Sequence, residues 1–477
     1  MQKSHPKGLW YLISLYMWEY FSYYGMRAIL VLYLTQHMLL SDEGAFAIYG
    51  SYTALVYLTP LFGGLIADKL FGFKNAVMMG ALLMVCGHLL LGLGGDNALF
   101  YAMAFIICGY GFFKSNMSCV LGNLYSEHDT KRDAGFVLLY LGGNIGGLVA
   151  PIAVGFVAHY YGWHAGFSLA GIGMLVGFVI FMMGSKHIPE VEGQEFLIKN
   201  SSVRNSVVSI LVAAIIVFAY LMLDYMLVGY IISIAVACTA IALFFIWMQS
   251  GAKERKSLNL VFLLMLFGIS FWAFDEQMGS SVVMFIERNV NTYMMGVIVP
   301  ASVFSSINSF SILVGGAIVA WIFARMKNST EFTEMLKFGL GLLLLMISFV
   351  LFFLGAKMAT VDGISSPIWV IMGLFALGVA ELFIDPLALS KITAIKSKNT
   401  GFIAAAYMLF TGSVASFLAA KLADFSSFSD GANQSLIAQA TLYKNLFWNI
   451  SIAALVIACL WLAITFLMKK KADSVEA

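Results

Sequence analysis

The chain has 477 residues, 61% of them hydrophobic and 11% charged, with mean hydropathy +0.90. Soluble domains carry about 25% charged residues, so a water-soluble globular protein is excluded and a polytopic membrane protein is indicated. A net charge of +2, with Lys and Arg spread along the connections, offers no basic face for nucleic acid.

Lys3 and Lys7 precede an apolar stretch in the manner of a signal peptide, but the stretch runs on past Glu19 and Arg27 without a small-residue cleavage pattern. It reads as a first helix, 9–37. Since about 20 apolar residues cross a bilayer, further spans are expected at 45–67, 75–94, 98–122, 135–158, 163–184, 206–226, 228–249, 258–287, 296–325, 334–356, 366–390, 401–423 and 441–468, about fourteen in all. Lys and Arg gather in alternate connections, from Lys3 and Lys7 through Lys69, Lys74, Lys131, Arg132, Lys253, Arg255, Lys256 and Lys391 to Lys469–Lys471, whereas the opposite loops hold Arg288, Lys357, Lys421 and Lys444 beside acids such as Asp42 and Asp96. The positive-inside rule then puts both termini in the cytoplasm, consistent with an even number of spans.

The longest polar connection, 185–205, divides the chain. The expected organisation is a six-helix bundle over 1–184, a cytoplasmic linker over 185–205, a lipid-facing helical hairpin over 206–249 and a second six-helix bundle over 250–477. Two such bundles with a substrate site near the midplane are the design of a major-facilitator transporter. GLIADKLFGFK at 64–74 supports this, because Gly64, Asp68, Gly72 and Lys74 fit that superfamily's loop after helix two, where glycines allow a tight turn.

Ionised groups inside apolar spans cost roughly 2.5–3.5 kcal/mol on insertion scales and are functional suspects; mutual pairing or snorkelling is the structural alternative. The buried polar set comprises Glu19, Tyr23, Tyr24, Arg27, Tyr57, Lys114, Tyr140 and Asn144 in the first half, and Trp272, Asp275, Glu276, Asn308, Glu381 and Asp385 in the second. Both charge signs in a low-dielectric cavity suit a zwitterion. Tyr57 and Tyr140 fit equally well as packing residues, Asn144 as a helix-helix contact and His88 as a core histidine. The five cysteines lack metal or disulfide spacing and are expected to be buried small hydrophobes. No cofactor or metal is implied.

EYFSYYGMR at 19–27, FFKSNMSCVLGNLY at 112–125, EHDTKRDAGF at 127–136, YLGGNIGG at 140–147, FWAFDEQ at 271–277, VFSSIN at 303–308 and ELFIDP at 381–386 together resemble the proton-dependent oligopeptide transporter family, most closely its atypical enterobacterial di- and tripeptide permeases. The resemblance covers nearly the whole chain. It implies a major facilitator fold of fourteen helices, an extra helix pair between the halves, and a monomer in the bacterial inner membrane importing di- and tripeptides with protons. It further implies proton coupling through Glu19 and Lys114, with Lys114 holding the peptide carboxylate and Asn308 and Glu381 its amino terminus. Tyr23, Tyr24, Arg27, Tyr57, Tyr140, Asn144, Trp272 and Tyr407 would line the binding cavity, and the pairs Arg27 with Glu276 and Lys114 with Glu381 would serve as gates.

One departure bears on coupling. The family's helix-one pattern E-x-x-E-R-F-x-Y-Y-G has Tyr16 here for its first Glu and Tyr20 for its Arg. A facilitator with weakened coupling is therefore the nearest alternative. Asp385 is four residues beyond Glu381, one turn along a continuous helix; two carboxylates there would favour dipeptides with a Lys or Arg side chain, unless Asp385 instead pairs with Lys391. An intramembrane enzyme would need H-E-x-x-H, G-x-S-x-G or paired aspartates, none of which is found, and a channel would need rings of repeated polar residues.

Overall fold

The computed structural model describes residues 5–64, 72–126, 129, 131–189, 201–325, 331–395, 399–427 and 435–476. Asp68 of the glycine-flanked loop and most of the 185–205 connection lie outside them. Helices occupy all fourteen expected places: α1 (Lys7–Gln36), α2 (Asp42–Gly64), α3 (Phe73–Leu93), α4 (Asp96–Gly122), α5 (Arg132–Tyr161), α6 (Trp163–Gly184), α7 (Ser201–Leu221), α8 (Tyr225–Gln249), α9 (Ala252–Asn289), α10 (Ser306–Arg325), α11 (Glu331–Asp362), α12 (Ile368–Ala394), α13 (Thr400–Ser426) and α14 (Leu436–Glu476). Among the described residues eleven are long and apolar enough to cross a membrane. Helix α1 is not among these eleven, and α7 and α10 are shorter apolar stretches.

The chain groups into two compact units, one of residues 1–39 and 51–232, the other of residues 40–50 and 233–477. In the first, α1 packs on α5 and α6, and α3 on α4 and α6. Helix α4 lies close against α2 because Gly63 and Gly111 meet; a Cβ on Gly63 would stand 2.0 Å from the Gly111 carbonyl oxygen. Small residues are what permit such backbone approach in membranes. Thr59 fastens the contact, donating to the Ile107 carbonyl at 2.9 Å. Lys74 donates to the Ser185 and Ile188 carbonyls at 2.8 and 3.0 Å, capping the end of α6.

In the second unit α11 packs along α14 and α12, and α10 on α12. Three of its helices are interrupted. In α9 a 3-10 turn, Glu276–Gly279, separates Asp275 from the segment beginning at Ser281. Gln277 secures it by donating to the Ala419 carbonyl at 2.8 Å while accepting from Ser281 at 2.7 Å. In α12 a turn over 382–384 separates the segment ending at Glu381 from the one starting at Asp385, with Pro386 in its first turn. In α13 a π-helical turn covers Leu409–Val414.

Two expectations are corrected. A span over 296–325 begins too early: Tyr293–Met294 pairs with Val297–Ile298 in a β-hairpin, β1 with β2, turned by Met295 and Gly296 at positive φ, as two-residue hairpins require. The cysteines are not uniformly buried. Cys108 is buried and Cys119 half-buried, but Cys86, Cys238 and Cys459 are exposed, where a lipid-facing surface accepts a thiol as readily as a core does. His88 is fully buried, as a core histidine should be.

Candidate functional site

Helix α1 places Tyr16, Glu19, Tyr20, Tyr23, Tyr24 and Arg27 at helical spacing, and α4 brings Tyr110 and Lys114 to the same region. Lys114 Nζ lies 3.9 Å from Glu19 Oε2. That is well beyond the 2.7–2.9 Å of a committed charge-assisted hydrogen bond, and both carboxylate oxygens of Glu19, itself 1% exposed, have no hydrogen-bond partner. The ammonium instead donates to the Tyr20 hydroxyl at 3.4 Å and faces the rings of Tyr16, Tyr20 and Tyr110 at 4.6, 4.4 and 5.5 Å. Aromatic faces attract a desolvated cation by about 0.5–2 kcal/mol. Tyr16 and Tyr20, joined through their hydroxyls at 3.2 Å, thus build the cage around Lys114 together with Tyr110.

Arg27, one turn further on, sits 5.8 and 6.0 Å from the Tyr23 and Tyr24 rings. Tyr57 approaches Tyr110 edge-on at 6.1 Å, and Tyr110 lies 5.3 Å from Tyr23. Glu19, Lys114, Tyr23, Tyr24, Arg27 and Tyr57 therefore belong to one aromatic network. Asn144 and Tyr140 are its less integrated members: Asn144 is buried but spends its amide on the Tyr140 carbonyl at 3.0 Å, and the Tyr140 side chain is 43% exposed. Tyr110 was not among the expected site residues, although its place one turn before Lys114 was a readable signal.

The second unit's cluster has the opposite character. Gly378 lets α10 and α12 close up, since a Cβ there would meet Ser311 Oγ at 2.0 Å and the Asn308 carbonyl oxygen at 2.5 Å. One turn later Asn308 Nδ2 donates to Glu381 Oε1 at 2.5 Å. Asp385 Oδ1 accepts from Trp272 Nε1 at 3.2 Å and from the Tyr407 hydroxyl at 2.8 Å. Tyr407 is in turn held by Thr411, which donates to its carbonyl at 2.8 Å. Asp275 and Glu276, both buried, adjoin Glu381. The continuous helix expected between Glu381 and Asp385 is replaced by the turn over 382–384, so the two carboxylates flank a break rather than stack on one face. Nor is Asp385 engaged by Lys391, which pairs with Glu334.

Sequence reading also missed an ion pair. Arg288, counted as a loop charge, forms a bidentate pair with Asp42 at 2.6 and 2.7 Å and donates to the Tyr443 hydroxyl at 3.1 Å. It anchors the first turn of α2 to α9 and α14 within the second unit. Only an acid in one loop and a base in another were visible beforehand. Among the described residues no group of His, Cys, Asp and Glu is arranged to hold a metal.

The family model described as PTR2, the POT family, matches residues 74–439. The chain belongs to the POT family. It is 30% identical over 465 residues to dipeptide and tripeptide permease A of Escherichia coli (strain K12), covering 96% of this chain and 92% of that protein. To the uncharacterized transporter YclF of Bacillus subtilis (strain 168) it is 30% identical over 406 residues, 82% of each. A crystal structure of a mutant peptide transporter POT in complex with alafosfalin matches with TM-score 0.81 at 30% identity, over 97% of this chain and 95% of that one. Tetrameric PepTSo2, 24% identical, shares the fold with TM-score 0.83 over 97% and 98% of the two chains. The nearly all-helical fold of POT transporters is thus the fold of this multi-pass membrane protein, and membership of a transporter family decides against the enzyme alternative.

Proposed function

We propose that this POT-family member is a proton-coupled symporter that imports di- and tripeptides across the inner membrane by alternating access, with both termini cytoplasmic. The observation that carries the reading is the loosely held Lys114: a nearly buried ammonium 3.9 Å from a carboxylate whose oxygens have no hydrogen-bond partner. Protonating Glu19 removes its claim on Lys114 and leaves the ammonium to a peptide carboxylate. Deprotonation draws the ammonium back and favours release. Tyr23, Tyr24, Tyr57, Tyr140 and Asn144 line the carboxylate end, and Arg27 with Glu276 is assigned to gating. In the second unit Glu381, oriented by Asn308, receives the peptide amino terminus, with Trp272 and Tyr407 as apolar walls. The named permeases among its relatives handle di- and tripeptides, which supports this substrate class. Asp385 adds a second carboxylate suited to a Lys or Arg side chain.

Uptake of a panel of dipeptides into proteoliposomes, with and without an inward proton gradient, tests the proposal. Accumulation above the external concentration is expected only with the gradient, and Glu19→Gln should abolish accumulation while sparing peptide counterflow. The second reading, a facilitator, draws on Tyr16 and Tyr20, whose mutual hydroxyl bond occupies the place of a second charge pair. It prevails if the gradient never raises the internal concentration above the external one.

A further inference from the structure

Away from the polar clusters, a groove of about 460 Å³ runs between α8 and α9, closed at its back by Phe410 of α13. Its polar lining residue Asn259 already accepts a hydrogen bond from Trp247 Nε1 at 2.9 Å, so what remains on offer is mainly hydrocarbon. The lining of α9 extends from Asn259 to Ile269, which at about 1.5 Å per residue is roughly 15 Å, half of a hydrocarbon core of about 30 Å. The groove is therefore as long as one leaflet is deep. It opens on the bilayer side of the molecule, for the hydrophobic window of α8 is only 17% buried.

Its end at Trp247 meets the first turn of α9, where Lys253, Glu254, Arg255 and Lys256 follow one another. Arg255 is already engaged: it donates to the Trp247 and Met248 carbonyls at 2.9 and 2.6 Å and lies 4.7 Å from the Trp247 ring. Lys256 forms only an exposed 3.7 Å contact with Glu331, of the kind that contributes little. Lys253 is exposed and has no ion-pair partner among the described residues. An apolar slot one leaflet deep thus ends at two available ammonium groups.

We propose that this groove holds an acyl chain of an anionic phospholipid of the cytoplasmic leaflet, whose phosphate-bearing headgroup is met by Lys253 and Lys256. The reading rests on the α8–α9 connection lying on the cytoplasmic side, where anionic lipid attracts basic segments, and is independent of what is transported. A peptide or a soluble anion would not need the apolar slot, and a zwitterionic lipid would not need the lysines.

The test uses the full chain reconstituted in vesicles of phosphatidylcholine and phosphatidylglycerol at equal mole fraction, with dibrominated chains on one lipid or the other. Bromine quenches nearby indoles, and subtracting the signal of Trp247→Phe isolates Trp247. The expected result is several-fold stronger quenching of Trp247 by the brominated phosphatidylglycerol. Lys253→Gln/Lys256→Gln should equalise the two lipids, and Ala240→Phe, which fills the groove but keeps both lysines, should lower quenching by either. Equal quenching by both lipids in the unaltered protein overturns the proposal. So does a phosphatidylglycerol preference that survives the double lysine substitution, or one undiminished by Ala240→Phe, which would mark general surface enrichment.

Discussion

The polar cluster of the first unit is built around a cation held only by long contacts, and that of the second around carboxylates held by short ones. Lys114 faces three aromatic rings and a carboxylate at 3.9 Å, whereas Glu381 and Asp385 accept bonds of 2.5 and 2.8 Å from side chains that are themselves positioned. The difference separates two tasks. Under the proposed function, a group that must change partners during a cycle is placed where each partner is weak, and groups that would recognise one end of a substrate are fixed before it arrives, because preorganisation lowers the cost of binding.

The sharpest way to break this comparison is to neutralise Lys114. Lys114→Gln should cost about 2–5 kcal/mol of peptide binding, as removal of one partner of a desolvated charge pair does, at least thirtyfold in affinity by equilibrium titration. An unchanged affinity would remove Lys114 from the site. Next comes Arg288→Ala, which strands the buried Asp42 carboxylate and should cost about 3–5 kcal/mol, read as a large drop in thermal midpoint; a change within error would mean that the pair is not structural. Asn308→Ala should weaken dipeptide affinity about ten- to a hundredfold by freeing the Glu381 carboxylate, at 1.5–3 kcal/mol for a bond to a charged group. The smallest effect is expected of Tyr407→Phe, which leaves Asp385 its bond from Trp272. Competition assays should show about a tenfold loss or less, confined to peptides with cationic side chains; an equal loss for neutral peptides would assign Tyr407 to the common site.

Most of the helical framework was legible in the sequence because hydropathy over twenty residues is a strong and local signal. Helix interruptions are not local in that sense. Nothing in FWAFDEQMGS announces a 3-10 turn after Asp275, since the turn is fixed by Gln277 reaching the distant Ala419 carbonyl. In α12 Pro386 hinted at a break, but hydropathy runs smoothly across Leu382, Phe383 and Ile384, and the apolar run read as one helix. The charged site residues stood out because burying charge is costly, and their assigned roles came from ordered motifs. Arg288 escaped notice for the converse reason: an Arg and an Asp far apart in the chain look like ordinary loop charges until the fold joins them.

The wide turn at Leu409–Val414 places a constraint on chain length rather than on residue type. A π turn inside an α-helix accommodates an extra residue relative to regular winding, and each residue of an α-helix corresponds to about 100° of rotation. Removing one residue from 409–414 therefore absorbs the wide turn and leaves Thr400–Met408 and Ala415–Ala423 near their present phase, whereas removing two turns one flank by about that angle against the other. Tyr407 would then leave Asp385 although neither residue had changed. A single shortening within this stretch should be tolerated far better than a double one.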